Sequence, residues 1–161
     1  MEALIREKEI MSTKLGNVAA AVGKGLFAGA AGTAAMTVSN TLEMKIRGRQ
    51  GSSVPAAAAS KVLGIEPKGE AEEARFSNLV HWGYGTSWGA VRGIIGAAGL
   101  EGTGATAAHF GVLYGTEQTM LPTLGIVPPF WQWGAKEVTI DAFHHLVYAS
   151  ATSVAYAILD R

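Results

Sequence analysis

The C-terminal part of the chain carries five side chains at spacings that could do chemistry: Glu137, Asp141, His144, His145 and Tyr148. Residues three and four apart share a helix face. Glu137, Asp141, His144 and Tyr148 therefore fall in one narrow arc, with His145 at its edge. Upstream, Glu43, His81, Arg92, His109 and Glu117 stand as isolated ionisable residues in apolar surroundings. Groups of this kind inside apolar segments are costly, which makes each a functional candidate.

Three chemistries suit such a set. The first is structural, with interhelical hydrogen bonds worth about 0.6 kcal/mol each in membrane proteins. The second is a proton or ion path, because Asp, Glu and His form relays and His titrates near neutrality. Glu43, His81, His109, Glu137, Asp141 and His145 are its candidates, with His81 and His145 central. The third is a metal site. Asp141-x-x-His144 repeats the carboxylate–x–x–His spacing that puts two ligands on one helical face. Glu43, His81, Glu117 and His145 could complete an oxygen and nitrogen set for iron, zinc or manganese. Two histidines from different helices could instead ligate haem. Arg92 requires a carboxylate or carbonyl partner, since an unpaired buried charge is expensive.

Other chemistries are poorly served. The chain has no cysteine, which excludes disulfides, thiolate metal sites and cysteine nucleophiles. Ser87, Ser150 and Ser153 lack a nucleophile-elbow context. Gly99–Gly104 lacks the lysine of a phosphate-binding loop. Thirteen Lys and Arg balance thirteen Asp and Glu, so no basic excess points to nucleic acid.

The elements that must position these residues are visible in the charge map. Only 16% of the 161 residues are charged and 48% are hydrophobic, against about 25% charged in an ordinary soluble domain. Asp, Glu, Lys and Arg are absent from 25–42, 76–91, 93–100, 102–116, 118–135 and 142–159. A spanning helix needs about 20 mostly apolar residues. Four stretches approach that length, at 16–45, 77–99, 104–121 and 134–159. The expected fold is all-α, an integral membrane, antiparallel four-helix bundle forming a single domain over 1–161.

Residues 1–15 are expected to form an interfacial segment with Leu4, Ile5, Met11 and Leu15 on one side. Glu2, Glu7 and Glu9 argue against a signal peptide. The polar loop 46–76 should contain a short helix, begun at Ser53–Ala59 with Pro55 in its first turn and ended at Gly64. Pro122, Pro128 and Pro129 with Phe130, Trp131 and Trp133 make a rigid connection suited to a membrane–water interface. The two sides of the proposed bundle carry five and seven basic residues, a slight lean towards a cytoplasmic central loop that does not orient the chain.

Glycine makes up 21 of the 161 residues. Gly25/Gly29, Gly85/Gly89/Gly93 and Gly111/Gly115 are small-xxx-small pairs that let helix backbones approach. Such close packing fits a bundle within one chain, a homo-oligomer, or docking into a larger membrane complex.

The sequence Leu124-Gly125-Ile126-Val127-Pro128-Pro129, followed by Glu137-x3-Asp141-x3-His145-Leu146-Val147-Tyr148, resembles the YagU-like family of small bacterial inner-membrane proteins. Glu43, His81 and His109 fall where that family places similar residues. His144 and Glu117 lie outside the shared pattern, and the central loop differs. The resemblance implies a bacterial inner-membrane location and favours Glu137, Asp141 and His145 as a set. It implies no reaction. The function expected from the residues is proton- or ion-coupled transport or a metal site. The alternative is an accessory subunit without chemistry of its own.

Overall fold

The structure, a computed structural model, describes residue 1, residues 5–7 and residues 10–161. Leu4 of the expected interfacial face lies outside the described residues. The chain is all-helical, with no strand among the described residues. Its elements are α1 (Glu2–Arg47), α2 (Val54–Leu63), α3 (Glu70–Ala97), α4 (Gly102–Thr123), a single 3-10 turn (Phe130–Gln132) and α5 (Ala135–Leu159).

The N-terminal segment and the first apolar stretch form one continuous helix, where the sequence suggests a separate interfacial piece. No proline interrupts α1, and at about 1.5 Å per residue it outruns its partners. Its described side chains before Ala21 are all exposed. Gly48 ends it at φ 64° and Gly64 ends α2 at φ 66°, backbone angles that glycine adopts without a Cβ clash. The short helix expected in the central loop is α2, with Pro55 in its first turn.

Helix α1 packs on α3 and α5, α4 packs on both α3 and α5, and α2 packs on α3. The residue pairs give the directions. Lys24 bonds Asp160 at 2.9 Å, Ser39 meets His144 at 2.7 Å and Arg47 meets Glu137 at 2.9 Å. Numbers rise on α1 as they fall on α5, so the two are antiparallel. Helix α4 is antiparallel to α5 by the same test, with His109 beside Tyr148 and Gln118 beside Asp141.

The α1–α3 contact is made by glycine. A Cβ on Gly29 would lie 2.6 Å from the Thr86 carbonyl oxygen, and one on Gly89 would lie 2.6 Å from the Gly29 Cα. On Gly93 it would sit 2.7 Å from the Ala21 carbonyl carbon, and on Gly85 it would strike the Thr33 side chain. The Gly85/Gly89/Gly93 run is thus filled within the chain by α1, not offered to a second copy. Gly111 and Gly115 on α4 have no atom within 4 Å of an added Cβ and remain open.

The interior is unusually polar. Its largest fully buried side chains are Tyr148, His109, Thr33 and Thr152. Many large apolar side chains point outward instead: Phe27 is 76% exposed, Leu79 71% and Phe143 56%. Among the described residues only one helix, over Ile5–Arg47, is long and apolar enough to cross a membrane by length and composition. The other three expected spans fall short because glycine, threonine and the polar residues dilute them. Helix α3 carries His81 and Arg92, α4 carries His109, Glu117 and Gln118, and α5 carries Glu137, Asp141, His144 and His145.

Arg92 departs from expectation. It is buried, and no carboxylate pairs with it among the described residues. Its Nε donates to Ser153 Oγ at 3.1 Å, and its guanidinium lies 4.5 Å from the Tyr156 ring centre. Nη1 has no hydrogen-bond partner. A buried cation whose hydrogen bonds are incomplete carries a desolvation cost that its contacts do not repay. Arg92→Met is therefore expected to raise the melting temperature. A lowered one would show that the ring and hydroxyl contacts outweigh the desolvation of the cation.

Candidate functional site

A cavity of about 780 Å³ lies among α1, α3, α4 and α5, with α2 along one side. Its rim is set by the ends of α1 and α5. Arg47, one turn beyond Glu43, donates to Glu43 and to Glu137 at 2.9 Å each. Arg49 Nε donates to the second oxygen of Glu43 at 2.7 Å. Two arginines thus face two carboxylates across the α1–α5 junction. Lys61 of α2 donates to the Leu124 carbonyl at 2.5 Å, tying α2 to the turn after α4. Trp133 lines the cavity and donates through Nε1 to the Pro128 carbonyl at 2.7 Å.

Deeper in the wall sit Glu117, Asp141 and His145. The Glu117 carboxylate contacts His145 Nε2 directly. His145 Nδ1 is 2.8 Å from the Asp141 carbonyl oxygen. A carbonyl only accepts, so Nδ1 carries hydrogen. The Nε2–carboxylate contact then needs one further proton between its two atoms. It is either an imidazolium against a carboxylate or an imidazole accepting from a carboxylic acid. The pair therefore holds one shared proton. Gln118 Nε2 donates to the Asp141 carboxylate at 3.2 Å, and His145 Nδ1 lies 3.7 Å from its other oxygen.

The remaining histidines have separate settings. Thr37 donates its hydroxyl hydrogen to the Thr33 carbonyl at 2.7 Å. Towards His81 Nε2, 2.8 Å away, it can therefore only accept, so Nε2 of His81 carries hydrogen. His81 lines the cavity apart from the carboxylates. His144 Nδ1 meets Ser39 Oγ at 2.7 Å, and its Nε2 is 4.0 Å from Glu43. His109 lies outside the cavity. It is fully buried against Tyr148 and donates from Nε2 to the Trp88 carbonyl at 3.1 Å, leaving Nδ1 without a partner. Tyr148 itself donates to the Gly85 carbonyl at 2.5 Å.

Of the residues singled out in the sequence, Glu117, Asp141 and His145 come together. Glu43 and Glu137 meet through Arg47. His81 and His109 join neither group. Among the described residues no three or more His, Asp or Glu side chains converge as a metal-ligand set, so His81, Glu117, Asp141, His144 and His145 do not assemble one. Glu117, which the family resemblance leaves out, is the side chain that contacts His145. Arg47, Arg49 and Gln118 were not anticipated as site residues. The i,i+4 spacing of Glu43 and Arg47 is the signal that could have found the first of them.

No family model matches the chain, no curated protein matches it, and no solved structure matches it.

Proposed function

We propose that the chain is a small multi-pass protein of a bacterial inner membrane, with α1, α3, α4 and α5 forming an antiparallel four-helix bundle. Its cavity takes part in proton- or ion-coupled transport of a small molecule. The observation that carries this reading is the Glu117–His145–Asp141 cluster on the wall of a 780 Å³ cavity. Binding cavities for small molecules commonly fall in the range of about 300–1,000 Å³, with apolar walls and a few convergent polar groups. A group holding one shared proton beside such a space can take up or release it as the occupant changes.

The membrane part rests on the inverted polarity. Threonine, histidine, serine and tyrosine fill the centre while Phe27, Leu79, Phe143 and Val154 face outward. In lipid, outward apolar side chains cost nothing, and small and polar residues hold helices together. A second reading, a subunit docked into a larger membrane complex, is favoured by the open Gly111/Gly115 face of α4.

The absence of cysteine makes a clean test. Single cysteines are placed at Met44, which lines the cavity, and at Phe143, which faces outward. In intact membranes a water-soluble, impermeant maleimide is expected to label the Met44→Cys variant and spare the Phe143→Cys variant. Equal labelling of both would contradict the membrane reading. Labelling of neither, from either side of the membrane, would contradict an open cavity.

A further inference from the structure

We infer that the cavity's occupant is an organic monocation with an apolar body, held by Asp141; the inference rests on reading this cavity as the binding site. The argument is a charge balance on the cavity wall. Arg47 and Arg49 are matched by Glu43 and Glu137 at the rim. Glu117 and His145, with their shared proton, sum to zero. His144 is engaged by Ser39. Asp141 is left over. The titratable groups around it are His145, Glu117, Tyr114 and His144, and none is a cation free to neutralise it. It accepts from the Gln118 amide, and the Tyr114 hydroxyl, also uncharged, faces it. A half-buried carboxylate in that position takes a proton or a cation, and the two compete.

The rest of the wall says what the cation carries. Met36, Leu113, Met120 and Ile140 supply apolar surface, while Tyr84 and Trp88 supply aromatic rings. Aromatic faces attract cations, and methionine adapts to irregular shapes. A small hydrated metal ion would gain nothing from these side chains. A cation with an apolar body uses both. Entry of the cation displaces the proton: protonated Asp141 plus the cation gives the Asp141 carboxylate–cation pair plus one proton released. Charge and atoms balance without any further reactant.

The test uses tetraphenylphosphonium and tetraphenylborate, which share size and shape and differ in the sign of charge. Binding to the purified full-length protein in mild detergent is measured by equilibrium dialysis. Tetraphenylphosphonium is expected to bind saturably, and Asp141→Asn to weaken it about tenfold or more, the weight of one charged contact. Asp141→Glu, which keeps the charge, should retain most of the binding and guards against a folding artefact. Tetraphenylborate binding as tightly as the cation would overturn the inference, and so would unchanged cation binding in Asp141→Asn. The maleimide labelling of Met44→Cys reads the cavity independently. A labelled cavity that ignores the cation sinks this inference alone, whereas a cavity that takes neither reagent nor cation sinks the underlying reading with it.

Discussion

His145→Leu is expected to destabilise the protein by about 3–5 kcal/mol, because it strands the Glu117 carboxylate in a half-closed interior without its partner. Both side chains of the pair are largely withdrawn from solvent, at 8% and 17% exposure. Glu117→Gln should behave differently. Its amide can donate to His145 Nε2 while Nδ1 keeps donating to the Asp141 carbonyl. The geometry survives at a cost of about 1 kcal/mol, but the shared proton is gone. Replacing both residues with leucine should recover most of what His145→Leu loses, since apolar replacement of a whole buried pair is often close to neutral. Thermal unfolding of the four proteins in one detergent checks this. A double variant no more stable than His145→Leu would mean that Glu117 and His145 do not act as a pair.

Gly89→Ala is expected to cost about 3 kcal/mol or more, the upper part of the range for overpacking. A single methyl there meets backbone, 2.6 Å from the Gly29 Cα and 2.7 Å from its nitrogen. Backbone cannot swing aside as a flexible side chain can, so α1 and α3 must separate. The same change at Gly111, where nothing lies within 4 Å, should be neutral or stabilising by up to about 1 kcal/mol through helix propensity. Paired melting curves distinguish the two positions. Equal effects would show that the close approach of α1 and α3 does not hold the fold. If Gly111→Leu left the lone protein stable yet released it from a larger assembly in membranes, the accessory-subunit reading would gain at the expense of transport.

The helices were legible in the sequence because charge was absent from long stretches and present between them. The short helix α2 was legible from Pro55 and Gly64. The α5 stripe was legible from the spacing of Glu137, Asp141 and His145, since one helix fixes which of its own residues share a face. What one helix presents to another is set by rotation and axial register, which no single sequence displays. That is why Glu117 could be named as a candidate without showing that His145 is its partner. It is also why His109, with the same chemistry as His145, was not separable from it before the packing placed it against Tyr148. The glycine run was legible as a close-packing surface. Whether it faced α1 or a second molecule depended on Gly25 and Gly29 arriving opposite it. Arg47 and Arg49 escaped because the charge pattern ended the first span at residue 45, while the helix runs on to Arg47.

The central claim is that the cavity exchanges an organic cation for the proton of Asp141, in the cluster Asp141 forms with Glu117 and His145. Its most direct test is proton movement in vesicles. Wild type and Asp141→Asn are reconstituted at equal density, with a pH-sensitive dye inside, and tetraphenylphosphonium is added outside across a pH step. The account predicts cation-dependent proton movement by the wild type and a loss of about tenfold or more in Asp141→Asn. Movement in the wild type no greater than in empty vesicles, or movement undiminished in Asp141→Asn, would contradict it.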